Sequence, residues 1–164
     1  MKSYAAPWSK LLAGVTAFAT LVCAGASVAV GLNVSKGPET EGVMRLAAAL
    51  PMLVVVVAAF FMVRGYAVTA DEILVQRPLW NTRFERSRLQ SASIDAEALR
   101  GSIRLFGNGG LFSFTGLFRS PKLGRYRAYV TDPARTVVLR FADRVVVISP
   151  ADPEAFVRDV SSRR

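Results

Sequence analysis

Between Lys10 and Lys36 the chain carries no charged residue. The uncharged stretch Leu11–Leu32 has 22 residues, and as a helix rising ~1.5 Å per residue it spans roughly 33 Å. That length matches a hydrocarbon layer of about 30 Å. A second apolar run, Leu46–Val63, has 18 residues and reaches roughly 27 Å, near the lower limit for a spanning helix. Pro51 falls near its entry end, where a missing N–H costs little and membrane helices tolerate it. Arg45 and Arg64 bracket the run and can extend toward headgroups. Two membrane spans are the natural reading.

Composition then divides cleanly along the chain. The 164 residues are 52% hydrophobic, yet the formal net charge is +9. From Arg64 onward there are 17 Lys+Arg against 10 Asp+Glu, and Lys122 is the one lysine among them. The apolar content therefore belongs to the spans and most of the charge to a segment of about 100 residues, long enough to bury a modest core. The organisation expected is an N-terminal arm at 1–10, spans at 11–32 and 46–63, a short external loop at 33–45, and a folded domain at 64–164.

Orientation follows from the cations flanking the spans. Lys2, Lys10, Arg64, Arg77 and Arg83 stand on one side, and Lys36 with Arg45 on the other. Both termini are expected in the cytoplasm. The first span also resembles a secretory signal, but its apolar run exceeds the usual ~7–15 residues, so it reads as retained. Cys23 follows Val22, where lipidation needs a small residue, and Asn33-Val34-Ser35 matches a glycosylation pattern too short to carry weight. Ala19, Cys23, Ser27 and Gly31 form a small-residue stripe suited to contact with the second span.

Several chemistries are excluded. The chain has no histidine and one cysteine, which rules out an internal disulfide, a His/Cys zinc site and histidine-activated nucleophiles. The carboxylates after the spans are scattered, among them Asp71-Glu72, Asp95 with Glu97, Asp132, Asp143, and Asp152 with Glu154. Most sit in turn or cap contexts that explain them. No catalytic, metal or cofactor site is expected, and the chain does not read as an enzyme.

The basic segment consists of short β-rich runs between turn signals. Strands are expected at Tyr66–Thr69 and Ile73–Gln76 around Ala70-Asp71-Glu72, then over Asn81–Leu89. Asp95–Arg100 reads as a turn. Ile103–Phe106 and Leu111–Arg119 form a hairpin around Gly107-Asn108-Gly109-Gly110, a motif without the Lys-Ser/Thr continuation of a phosphate loop. Arg125–Val130, Thr136–Phe141 and Val145–Ile148 follow, the first two joined by Thr131-Asp132-Pro133-Ala134. Asp152 and Pro153 suit the N-cap and first position of a helix over Pro153–Ser161, with Phe156, Val157 and Val160 on one side.

Three phrases make this order familiar: G-N-G-G-L-F-S-F-T-G-L-F at 107–118, L-G-R-Y-R-A-Y-V-T-D at 123–132, and I-S-P-A-D-P-E-A-F-V at 148–157. Together with R-P-L-W at 77–80 they resemble the bacterial pleckstrin-homology (PH) domain proteins, including membrane-anchored members. The resemblance implies two transmembrane helices followed by a mainly-β PH-like domain. Its about seven antiparallel strands would lie in two near-orthogonal sheets capped by the C-terminal helix, with Phe156 as the plug. Membrane spans before such a domain are common in the family, and with the two spans read above the expectation is a multi-pass protein of the bacterial inner membrane. PH domains are best known for holding phosphoinositide headgroups near the first hairpin loop, but here that loop is acidic, so the usual pattern is absent.

The richest basic cluster lies elsewhere, at Arg119, Lys122, Arg125 and Arg127, with Arg140 and Arg144 as extensions. Alternation puts Arg125, Arg127 and Tyr129 on one strand face and Tyr126, Ala128 and Val130 on the core side. Phe112, Phe114 and Phe118 read as core. Three readings of the basic cluster stay open: a solvated face, docking on anionic lipid headgroups, and an acidic protein partner. Nucleic acid is not expected, since cations beside a membrane follow from the orientation rule. The functional expectation is a non-catalytic, membrane-anchored module for protein interaction or scaffolding, with a protein partner or a second copy. The alternative is anionic-lipid docking through the basic face.

Overall fold

The computed structural model describes residues 1–32 and 41–162. Helices α1 (Lys10–Leu32) and α2 (Glu41–Phe60) pack on each other, and both are long and apolar enough to cross a membrane. Only 6% of each helix's most apolar window is buried, which leaves Phe18, Leu21, Leu53 and Val57 uncovered by protein. Apolar area left in water costs ~25 cal/mol per Å², a cost that a bilayer removes. Ala19, Cys23 and Ser27 are half-buried among exposed neighbours on α1, whereas Gly31 of the same stripe is exposed. Residues 33–40, with Lys36 and Asn33-Val34-Ser35, lie outside the described residues.

The arm before α1 is not free. Lys2–Ala5 forms β1, paired antiparallel with β2 (Gly65–Val68) so that Tyr4 stands opposite Tyr66. With β3 (Glu72–Gln76) and β4 (Asn81–Glu85) this makes a sheet of order β1-β2-β3-β4. The Tyr4 ring meets Phe156 edge-on at 5.1 Å, Ala151 N–H donates to the Ala5 carbonyl at 2.9 Å, and Ser9 N–H to that of Thr131 at 3.1 Å. Because β1 precedes α1 and β2 follows α2, the start of one helix and the end of the other lie together beside the domain. At that end Val63, 1% exposed, already belongs to the domain core.

The second sheet contains β5 (Leu89–Ile94), β6 (Ile103–Leu111), β7 (Ser113–Ser120), β8 (Gly124–Val130), β9 (Val137–Phe141) and β10 (Val145–Ile148), in the order β5-β9-β10-β8-β7-β6. The single strand expected over Asn81–Leu89 is interrupted by a 3-10 turn at Arg86–Arg88, which passes the chain from the first sheet to the second. β8 and β9 do not pair across their connecting turn. Instead β10 inserts between them, antiparallel to β9 and parallel to β8. The two-sheet, helix-capped domain is as expected, with more strands than the seven counted and one parallel pair.

The terminal helix α3 (Pro153–Ser161) starts where Asp152 and Pro153 predict, and the Asp152 carboxylate accepts from Ala155 N–H at 2.9 Å. Its Phe156 is fully buried with Tyr66, Val75, Leu139 and Ile148 between the sheets. A second cluster, including Phe118, Tyr126, Ala128 and Val147, covers the other face of the second sheet, closed over by Ala98 and Leu99. β8 is thus buried on both faces near its end. Tyr129 belongs to the main core and is not an exposed neighbour of Arg127.

Candidate functional site

The hairpin of β6 and β7 brings the domain against the helices. Its turn does not fall at Gly107–Gly110, which extend β6. The tip is Phe112, φ +65°, between the register partners Leu111 and Ser113. The Asn108 side chain secures this end by donating to the Leu111 carbonyl and accepting from Leu111 N–H. Gly107 and Gly116 are register partners with φ of +108° and +139°; a Cβ on Gly116 would come within 2.1 Å of the Phe106 carbonyl oxygen. Neither strand can carry a side chain there.

The tip docks on α1. Thr16 Oγ1 donates to the Gly110 carbonyl at 3.3 Å and accepts from Phe112 N–H at 2.9 Å, and Trp8 meets the Phe112 ring edge-on at 6.1 Å. Six residues into a helix is roughly 9 Å below its start. Phe112 is accordingly half-buried at this contact, Phe114 is half-buried against the second core cluster, and only Phe118 of the three lies deep in that cluster.

A cavity of about 810 Å³ opens between this hairpin and the end of α2. Val54, Ala58 and Phe61 form one wall; Phe106, Gly107, Thr115, Gly116 and Leu117 form the opposite one. Arg77, Arg104 and Arg127 also line it, and no lining residue is acidic. Apolar walls with a few convergent polar groups are the general character of ligand sites.

Arg77 is the most constrained of the three. Its guanidinium carbon lies 5.2 Å from the Tyr129 ring centre, 5.5 Å from that of Trp80 and 5.9 Å from that of Phe61. Nη1 donates to the Phe61 carbonyl at 3.4 Å, while Nε is buried with no hydrogen-bond partner. Burial lowers its pKa from the ordinary arginine value, although a guanidinium stays charged at neutral pH. Faces of aromatic rings stabilise such a cation by roughly 0.5–2 kcal/mol. Arg104 extends over Gly109, where a Cβ would come within 2.5 Å of Nη1.

The four cations expected to form one surface are divided. Arg127 lines the cavity. Arg119 and Arg125 are exposed register partners farther along the same face. Lys122 is engaged with Asp95 at 2.5 Å, a hydrogen bond that holds the Asp95 carboxyl below its ordinary pKa. Arg144 pairs with Asp143. Arg140 is in phase with Val138 of the second cluster, so it points away from the Arg127 face. Arg77 and Arg104 lie outside the cluster expected from the sequence. Signals for both exist in the sequence: R-P-L-W leaves a strand beside aromatics, and Arg104 is the one charged residue between Gly101 and Phe118.

Several acids are occupied elsewhere, for instance Glu41 with Arg45, Glu97 with Arg100 and Asp159 with Lys2. Among the described residues none pairs with Arg77, Arg104, Arg119, Arg125 or Arg127, and no three His, Cys, Asp or Glu side chains gather as a metal would need. The arrangement suits an anionic ligand with an apolar body. No curated protein and no solved structure matches the chain. Residues 64–164, everything from the exit of α2 onward, match the family model of the bacterial PH domain, and the chain belongs to that family.

Proposed function

We propose that this protein is a two-span protein of the bacterial inner membrane, with both termini cytoplasmic, whose PH domain docks on the anionic leaflet beside its own helices. The PH family is one of binding modules rather than catalysts. One observation carries the reading: Arg77, Arg104 and Arg127 around the cavity beside α2, with Arg119 and Arg125 farther along β7 and β8, have no acidic partner among the described residues. Each cation held near an anionic leaflet contributes about 1 kcal/mol. The helices already confine the domain to the membrane, so weak contacts suffice to set its orientation. Retention of the first span is supported by β1, since cleavage after α1 would remove a strand from the first sheet.

The test uses the full chain in nanodiscs, carrying Cys23→Ser and a spin label at Pro121→Cys beside Arg119 and Arg125. Raising the anionic lipid fraction is expected to shield the label from a water-soluble relaxant, and salt or Arg119→Glu with Arg125→Glu to restore access. Access that is the same in anionic and zwitterionic discs overturns docking. A protein partner is the second reading, favoured by the exposed Ile103, Leu105 and Phe106 on the edge strand β6. Cross-linking from Phe106 to a co-purifying protein in mild detergent would support it.

A further inference from the structure

We infer that the cavity between α2 and the β6–β8 face holds a single anionic phospholipid, with its phosphate among Arg77, Arg104 and Arg127 and an acyl chain along Val54, Ala58 and Phe61. This inference rests on the leaflet-docking reading for the level at which the domain sits, but it concerns one bound molecule and not a charged surface.

Charge comes first. Arg77, Arg104 and Arg127 line one cavity whose lining holds no acid, and the buried Nε of Arg77 has no partner. Bringing like charges together in a partly desolvated space is unfavourable until an anion joins them, and planar guanidinium forks match phosphate oxygens. Soluble anions would satisfy that part alone. The second wall decides between sources, because Val54 and Ala58 belong to a helix long and apolar enough to cross the membrane. That wall meets hydrocarbon if α2 spans, so the occupant needs a charged end and an apolar end at the same time.

Depth agrees from two directions. The hairpin tip reaches Thr16 on α1, and the cavity wall reaches Val54 on α2. Each lies six residues inside its helix end, roughly 9 Å along the axis, where headgroup gives way to acyl chain. Gly107 and Gly116 keep the opposite wall bare at this level. Phe106 at the rim is 79% exposed, as a side chain facing hydrocarbon would be.

Trp80 supplies the readout, since it touches Phe61 of the cavity wall at 5.1 Å between ring centres. In full-length protein carrying Trp8→Phe it is the remaining tryptophan. The protein is placed in phosphatidylcholine nanodiscs with a minor fraction of phosphatidylglycerol brominated near the headgroup end of its acyl chains. Matched discs carry brominated phosphatidylcholine. Several-fold stronger quenching by the anionic lipid, saturating at low fraction and lost in Arg104→Gln with Arg127→Gln, is the expected result. Equal quenching by both lipids at every fraction overturns the site, even if the Pro121 label reports docking. Excess quenching with an unshielded Pro121 label would instead overturn docking and leave the lipid in place. Full competition by soluble glycerol phosphate would mean that no acyl chain is held, which also overturns the inference.

Discussion

Tyr66 shows how much one hydroxyl can organise. It donates to the Tyr129 carbonyl at 2.6 Å and accepts from Ser149 N–H at 3.1 Å, while Ser149 Oγ accepts from Thr131 N–H at 2.8 Å. Burial pushes the phenol pKa up to about 12, so it remains a neutral donor across ordinary pH. Tyr66→Phe keeps the ring and strands a buried carbonyl and N–H, which costs roughly 1–3 kcal/mol. Chemical unfolding of the detergent-solubilised protein is expected to show that loss. A drop no larger than that of an exposed substitution would discount the network. The sequence marks Tyr66 as a strand residue, but its partners are 63 and 83 positions away. No local pattern announces them.

At the scale of elements, the β6–β7 hairpin is where local signals mislead. Four turn-prone residues at 107–110 suggest a loop, yet pairing with β7 continues through them because the Gly107–Gly116 pair lets two backbones approach closely. Tertiary contact with Thr16 then sets the tip at Phe112. Gly116→Ala is expected to destabilise the protein by at least about 1–3 kcal/mol, the range for a strained backbone position, and to expose amides 106–111 to hydrogen exchange. Gly14→Ala on α1 is the control, as an added Cβ there meets nothing within 4 Å. Equal effects of the two would remove the packing argument. Helix α3 is the opposite case: Asp152, Pro153 and the spacing of Phe156 and Val160 are local signals, and the structure follows them.

For the whole molecule, β1 ties the two apolar helices to the domain. Lys2 Nζ lies 2.6 Å from Asp159 Oδ1, and the Tyr4 hydroxyl donates to the same carboxylate. Those two hydrogen bonds hold the Asp159 carboxyl below its ordinary pKa. A lowered folded-state pKa adds stability that is complete above the unfolded value of about 3.9 and is lost as pH falls through the folded value. NMR of the β1 amides is expected to show the strand loosening below about pH 4, earlier than the β2–β3 pair. Asp159→Asn should loosen β1 at neutral pH and flatten that dependence. A β1 that responds to acid identically in both proteins would assign its docking to the Tyr4–Phe156 contact alone.

The sequence by itself determines the two apolar helices, the partition of charge after Arg64, the β-rich character of that segment and the capped terminal helix. Each follows from signals within a few residues: runs without charge, alternation, turn residues and caps. Only the tertiary structure decides that Lys2–Ala5 is a strand, that β10 separates β8 from β9, and that Arg77 and Arg104 join Arg127. A strand edge recruits whatever chain its neighbours bring near, and a set of like charges converges only after distant elements have packed. Neither leaves a periodic trace in the residues concerned.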